Sequence, residues 1–190
     1  SKHAYERGLS DKENCLRWRR CRIVYKHWKS TLIDAKLTST RDRMPDTLNG
    51  VELMSSKLLL TEMLEYKAII MLEGNDVASG LKWALLSQSV VLMSPPKYTS
   101  WAMEELLVPW VHFVPLNEMA TDVEEKMLWV IEHDILAQRI AQRASLWIQD
   151  LCFDPNAAVD DKLVQEEMVR RYFSHFTPTA FPTNTSYNES

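Results

Sequence analysis

The residues from Gly74 to Lys82, GNDVASGLK, bring together small side chains, one carboxylate and one cation at a spacing that suits a phosphate site. Short side chains let an anion approach backbone N–H groups, which a helix start presents together with the positive end of its dipole. On that reading Gly74, Asn75, Asp76, Val77, Ala78 and Ser79 cradle a diphosphate, and Lys82, one helical turn in, offsets its charge. A plain strand-to-helix turn with Asn75 or Asp76 as N-cap accounts for the same residues, and the GxGxxG spacing of dinucleotide sites is absent. Asp76 and Glu73 would repel a diphosphate if they faced it. Capping the helix, or accepting hydrogen bonds from sugar hydroxyls, suits them better. Glu104 and Glu105 fall in the first turn of a further short helix, where a carboxylate is favoured by the dipole and is also able to grip a ribose diol.

Other reactive residue types give less. His112 lies in an apolar run, where a core histidine bonded to backbone is the simpler expectation than a base. Trp101 and Tyr98 suit a stacking wall or ordinary packing equally. Ser, His and Asp are present without a nucleophile elbow, so nucleophilic hydrolysis has no support. Cys15, Cys21 and Cys152 form no CxxC and have no His at metal spacing, so no zinc site follows. Six apart on one expected helix, Cys15 and Cys21 would lie on different faces and not bridge.

The turn is positioned by a strand, a helix and a second strand within Tyr66 to Met93. Ala68 to Leu72 is a short, wholly apolar run and Ser89 to Met93 a second, apolar after Ser89; both fit strands buried on both faces, as in a parallel sheet. Between them Val77, Leu81, Ala84, Leu85 and Gln88 recur at helical spacing. Upstream, Lys12 to Trp28 reads as a helix and Thr31 to Leu37 as an edge strand. The loop that follows holds Arg41 and Arg43, both able to reach a ligand, and a helix containing Leu58, Leu59, Met63 and Leu64 comes after a cap at Ser55 or Ser56. Downstream come a proline loop, a short helix from Trp101 to Leu107, a strand over Val111 to Leu116, and three helices from Asp122 to about Phe173. The alternation implies a doubly wound α/β domain with the Tyr66 to Leu72 strand at its centre. It should occupy residues 1–178, with a disordered tail over 179–190.

Composition sets the outer bounds. A chain of 190 residues with 46% apolar and 25% charged residues can bury one ordinary core. No run approaches the roughly 20 apolar residues of a membrane span. The chain opens at Ser1 without a signal pattern, so it is expected to be soluble or to lack its targeting end. Residues 1–43 hold 12 Lys and Arg against 5 Asp and Glu, and the rest holds 10 against 21. Such a basic leading segment can meet phosphate or nucleic acid, or simply form a solvated helix face. Asn184-Thr185-Ser186 and Asn188-Glu189-Ser190 are glycosylation sequons that lean toward a secretory lumen.

Taken together, EYKAIIMLEGNDVASGLKWALLSQSVVLM, then SWAMEELLVPWVHFVPL, then VEEKMLWVIEHDILAQRIAQRASLWI resemble the C-terminal part of glycosyltransferase family 90. This is the group of capsule-associated proteins and Rumi-like protein O-glucosyltransferases. The likeness runs from about Arg22 to Phe176. It implies the C-terminal half of a GT-B enzyme, a Rossmann-like parallel sheet with flanking helices that binds a nucleotide-sugar donor. It further implies inverting transfer of glucose or xylose from a UDP-sugar to a protein or glycan hydroxyl, with no metal and no other cofactor. No nucleic-acid partner is expected. The general base and a Trp-Arg-Gly-like phosphate loop are expected upstream of Ser1, which makes this chain a fragment that is inactive alone. Rumi-like members carry an arginine after a Ser-Phe pair where this chain has Ser79-Gly80-Leu81-Lys82, a departure that passes the cationic role to Lys82. In a eukaryote the compartment would be the endoplasmic reticulum or Golgi lumen. A non-catalytic interaction module on a degenerate glycosyltransferase fold, and the donor domain of another GT-B family, are the rival readings.

Overall fold

The computed structural model describes residues 5–38 and 44–176 and divides into two compact units, 1–151 and 152–190. Arg41, Arg43, the tail expected over 179–190 and both sequons lie outside the described residues. The first unit begins with α1 (Asp11–Arg17) and α2 (Arg19–His27), followed by a small hairpin of β1 (Thr47–Leu48) and β2 (Val51–Glu52). Next come α3 (Leu60–Met63), β3 (Ala68–Met71), α4 (Leu81–Leu86), β4 (Val90–Met93), a 3-10 turn over Glu104–Leu106, and β5 (Val114–Pro115). Two helices follow, α5 (Val123–Glu132) and α6 (Asp134–Phe153). The second unit carries α7 (Ala157–His175), along which Glu167 pairs with Arg170 and Arg171.

β3, β4 and β5 form a parallel sheet in that order, with Ile69 opposite Val91, Ile70 opposite Leu92 and Leu92 opposite Val114. The expected parallel pairing of the two apolar runs is therefore present, but β4 and not β3 is the central strand. Its four residues are all buried. Because side chains alternate along a strand, Val90 and Leu92 enter one core while Val91 and Met93 enter another. The first core takes Ile23 of α2 with Val123 and Val130 of α5; the second takes Leu81, Ala84 and Leu85 of α4. α6 serves both, through Ala137 and Ile140 on one side and Ala144 and Ile148 on the other. Helices thus cover both faces, as a parallel sheet requires.

Three sequence expectations are corrected. Thr31 to Leu37 forms no sheet strand: Leu37 N–H donates to the Leu53 carbonyl at 2.8 Å and its carbonyl accepts from Ser55 N–H at 2.9 Å, so its backbone is committed to the hairpin side. The strand expected over Val111 to Leu116 shrinks to two residues, and His112 sits in the preceding turn. Cys15 and Cys21 are joined by a disulfide. The expected single helix breaks at Trp18, which adopts an extended conformation (φ −89°, ψ 111°) and packs on the cluster of Cys15, Cys21, Val24, Leu48 and Leu53. That corner brings the two Cα atoms to 5.1 Å, within bridging reach.

Candidate functional site

Parallel strands place their carboxyl ends on one edge, so the loop leaving β3 and the loop leaving β4 meet there. The β3 loop, Leu72 to Gly80, closes on itself. Asp76 Oδ1 accepts from Val77 N–H at 2.8 Å, and Gly74 N–H donates to the Asp76 carbonyl at 3.3 Å. With Asp76 used in this way, α4 starts only at Leu81, with Gly80 at its N-cap and neither Asn75 nor Asp76. A helix of six residues presents a weak dipole, so attraction for an anion must come more from side chains than the sequence implied. Gly80 is needed for space, because a Cβ there would lie 2.9 Å from the Trp83 indole nitrogen.

The individual residues separate by environment. Asn75 and Ser79 are exposed, Gly74 and Val77 are half-buried, and Ala78 is packed into the core with Leu81 and Met93. Ala78 is small because the core is tight there, and substitution by a large residue would strain packing as well as access. Glu73 does not confront the turn: its Oε1 accepts from Lys97 N–H at 3.0 Å and Tyr98 N–H at 3.3 Å, tying the proline loop to the β3 loop.

Lys82 and Glu104, read separately in the sequence, are joined. Lys82 Nζ lies 2.6 Å from Glu104 Oε1, and the Glu104 side chain is 1% exposed. Ser100 donates its N–H and its hydroxyl to the same carboxylate, each at 2.7 Å. Burial on its own would raise the Glu104 pKa, but the contacts from Lys82 and Ser100 outweigh it and hold the acid at about 2. Glu105 instead accepts from Thr99 Oγ1 at 2.8 Å. Trp101, 62% exposed, is not explained by packing; its ring lies 5.8 Å from Lys82 Nζ. His112 Nδ1 accepts from Val108 N–H at 2.9 Å, the backbone bond expected of it. Burial and then the charge of Arg143 push its pKa down, which keeps that acceptor nitrogen unprotonated.

Sequence reasoning missed Arg19 and Arg20. α2 carries them to the end of β3, where Arg20 Nη2 donates to the Leu72 carbonyl at 3.0 Å and Arg19 Nη2 to the Glu73 carbonyl at 2.8 Å. The available signal was the density of arginine in WRRCR. Arg20 also lines a cleft of about 690 Å³ that runs along the open edge of β3 to Ser79 and Gly80, a volume in the range of small-molecule sites. Among the described residues no three His, Cys, Asp or Glu side chains gather as metal ligands, and no helix is long and apolar enough to cross a membrane.

A parallel sheet covered by helices, with small residues and cations at the carboxyl edge of its strands, defines an α/β protein of the kind that binds ligands at that edge. The chain belongs to glycosyl transferase family 90, whose sequence profile matches residues 1–156. It is 35% identical over 127 residues to O-glucosyltransferase LpsA of Dichelobacter nodosus, covering 67% of this chain and 37% of that protein. It is 33% identical over 106 residues to protein O-glucosyltransferase 3 of Rattus norvegicus, covering 55% and 20%. Over 125 residues it is 31% identical to the O-glucosyltransferase rumi homolog of Aedes aegypti, covering 64% and 30%. The matched stretch therefore spans little more than a third of the bacterial relative and less of the animal ones.

Proposed function

We propose that this chain is the donor-binding part of a glycosyltransferase that transfers glucose or xylose, with inversion and without a metal, from a UDP-sugar to a hydroxyl of a protein or glycan acceptor. The observation that carries the proposal is the position of the Gly74 to Ser79 turn: in a chain of a glycosyltransferase family, it lies at the carboxyl edge of two paired parallel strands. Relatives named as O-glucosyltransferases support the class of reaction. The role of the rest of a GT-B enzyme, including the acceptor domain and its general base, falls to polypeptide outside this chain.

As the glycosidic bond to the donor breaks, negative charge grows on the departing diphosphate. Backbone N–H groups and cations already fixed at the turn stabilise that charge more than the ground state, which is how they accelerate the step. Glu104 orients Lys82 at one side of the turn. Acceptor deprotonation needs a positioned base, and no residue described here is assigned to it. The Cys15–Cys21 disulfide favours an oxidising compartment, which in a eukaryotic cell would be the endoplasmic reticulum or Golgi lumen. Titration of UDP into the isotopically labelled chain tests the reading. Amide shifts should concentrate at Gly74 to Ser79 and around Lys82, and shifts confined to other elements would overturn the placement of the donor.

A further inference from the structure

The donor reading needs a cation for the diphosphate, and the charge of Lys82 is already neutralised by a buried carboxylate at 2.6 Å. We propose that Arg19 and Arg20, side by side at the start of α2, are the cations that hold the diphosphate of a bound nucleoside diphosphate over the Gly74 turn. This inference rests on the donor reading and names residues that it left open.

Position comes first. Arg19 and Arg20 are anchored to consecutive carbonyls, Glu73 and Leu72, at the strand end from which the turn departs. Arg20 is close enough to Gly74 that a Cβ on that glycine would meet its Nη2 at 3.7 Å. An anion seated on the backbone of the turn would therefore be within reach of this guanidinium. Arg20 and Ser79 also line the same cleft, so the proposed cation and the exposed small residue of the turn face one space.

Charge comes second. Lys67 pairs with Asp134, Lys97 with Glu118 and Lys126 with Asp122, whereas among the described residues no carboxylate pairs with Arg19 or Arg20. Each guanidinium has five N–H donors in a rigid fork. Arg20 uses one on Leu72; Arg19 uses one on Glu73 and one on the Glu118 carbonyl at 3.2 Å. The remaining donors suit phosphate oxygens, which arginine binds in a paired geometry. Desolvation, and then the neighbouring Arg19 charge, hold Arg20 below its usual pKa, a cost that a bound anion would relieve.

Preorganisation comes third. The break at Trp18 and the disulfide between Cys15 and Cys21 bracket the two arginines, so the corner that aims them is covalently closed. Their side chains need not be gathered when the ligand arrives.

The test is titration of the 190-residue chain with UDP and, separately, with inorganic pyrophosphate, followed by amide shifts to millimolar ligand. Wild type is compared with Arg20→Met, Arg20→Lys, Arg19→Met and the control Lys67→Ala, which lies at the other end of β3. Arg20→Met should weaken both ligands about ten-fold or more, the loss expected for a charge-assisted contact. Arg20→Lys, which keeps the charge and loses the fork, should weaken them several-fold while retaining the fold if Arg20→Met does not, and Lys67→Ala should bind like wild type. Wild-type binding that is unchanged in the Arg19 and Arg20 variants overturns this inference and leaves the donor reading standing. Failure of wild type to respond to either ligand overturns both.

Discussion

Removing Lys82 should destabilise the domain chiefly by stranding Glu104. The carboxylate is 1% exposed and takes contacts from Lys82 Nζ at 2.6 Å and from the N–H and hydroxyl of Ser100 at 2.7 Å. Loss of one partner of a buried pair costs about 3–5 kcal/mol, because the remaining charge stays in the interior. The Glu104 pKa gives the size of the whole arrangement, Lys82 and Ser100 together. Glu104 is held at about 2 against an ordinary 4.5, and about 1.4 kcal/mol per unit makes its ionised form worth roughly 3 kcal/mol to the fold. A depressed carboxyl pKa stabilises the folded state fully above about pH 4.5, and that stabilisation drains away as pH falls toward 2. Urea unfolding followed by circular dichroism, at pH 7 and at steps from pH 4.5 to 2.5, reads both effects. Lys82→Met should lose about 3–5 kcal/mol at pH 7, and pairing it with Glu104→Gln should recover part of the loss. Glu104→Gln should show a shallower acid slope than wild type. A Lys82→Met loss under about 1 kcal/mol, or identical acid slopes for Glu104→Gln and wild type, would refute the claim that a buried ion pair organises this side of the turn.

Two further outcomes follow from the structure. Replacing both Cys15 and Cys21 with Ala should cost about 2 kcal/mol for so short a loop, read as a lower urea midpoint; a midpoint equal to that of wild type would mean that the packing of Trp18 alone holds the corner. His112 should titrate below its ordinary 6.5 by imidazole NMR, so stability tied to its neutral ring is present above pH 6.5 and is lost as pH falls through the folded value. A titration at or above 6.5 would contradict the acceptor role of Nδ1 toward Val108.

Much of the architecture was legible in the sequence because it depends on local pattern. Ala68 to Leu72 is apolar throughout and Ser89 to Met93 is apolar after Ser89, a pattern that suits strands of a helix-covered parallel sheet, and the two pair in parallel as expected. The recurrence of Ile135, Leu136, Ile140, Ala144, Trp147, Ile148 and Leu151 likewise marked α6 as a helix, although of these only Ile140, Ala144 and Ile148 are buried and Ile135 and Leu136 are exposed. The family too was carried by the residues themselves. Strand order was not, since it depends on where distant segments send their backbone hydrogen bonds; Leu37 turns to Leu53 and Ser55, so β4 becomes the centre of the sheet. The candidate site divides in the same way. The small residues of the turn can be counted in sequence, whereas the charge state of that turn is set by partners far along the chain. Glu104 lies 22 residues beyond Lys82, and Arg20 reaches a carbonyl 52 residues away. The break at Trp18 has no glycine or proline to announce it, because it is imposed by the indole packing onto the hairpin cluster. Local propensity fixes which segments form strands and helices, but the choice of which cation meets which acid is a balance of burial and long-range contact that only the folded chain can strike.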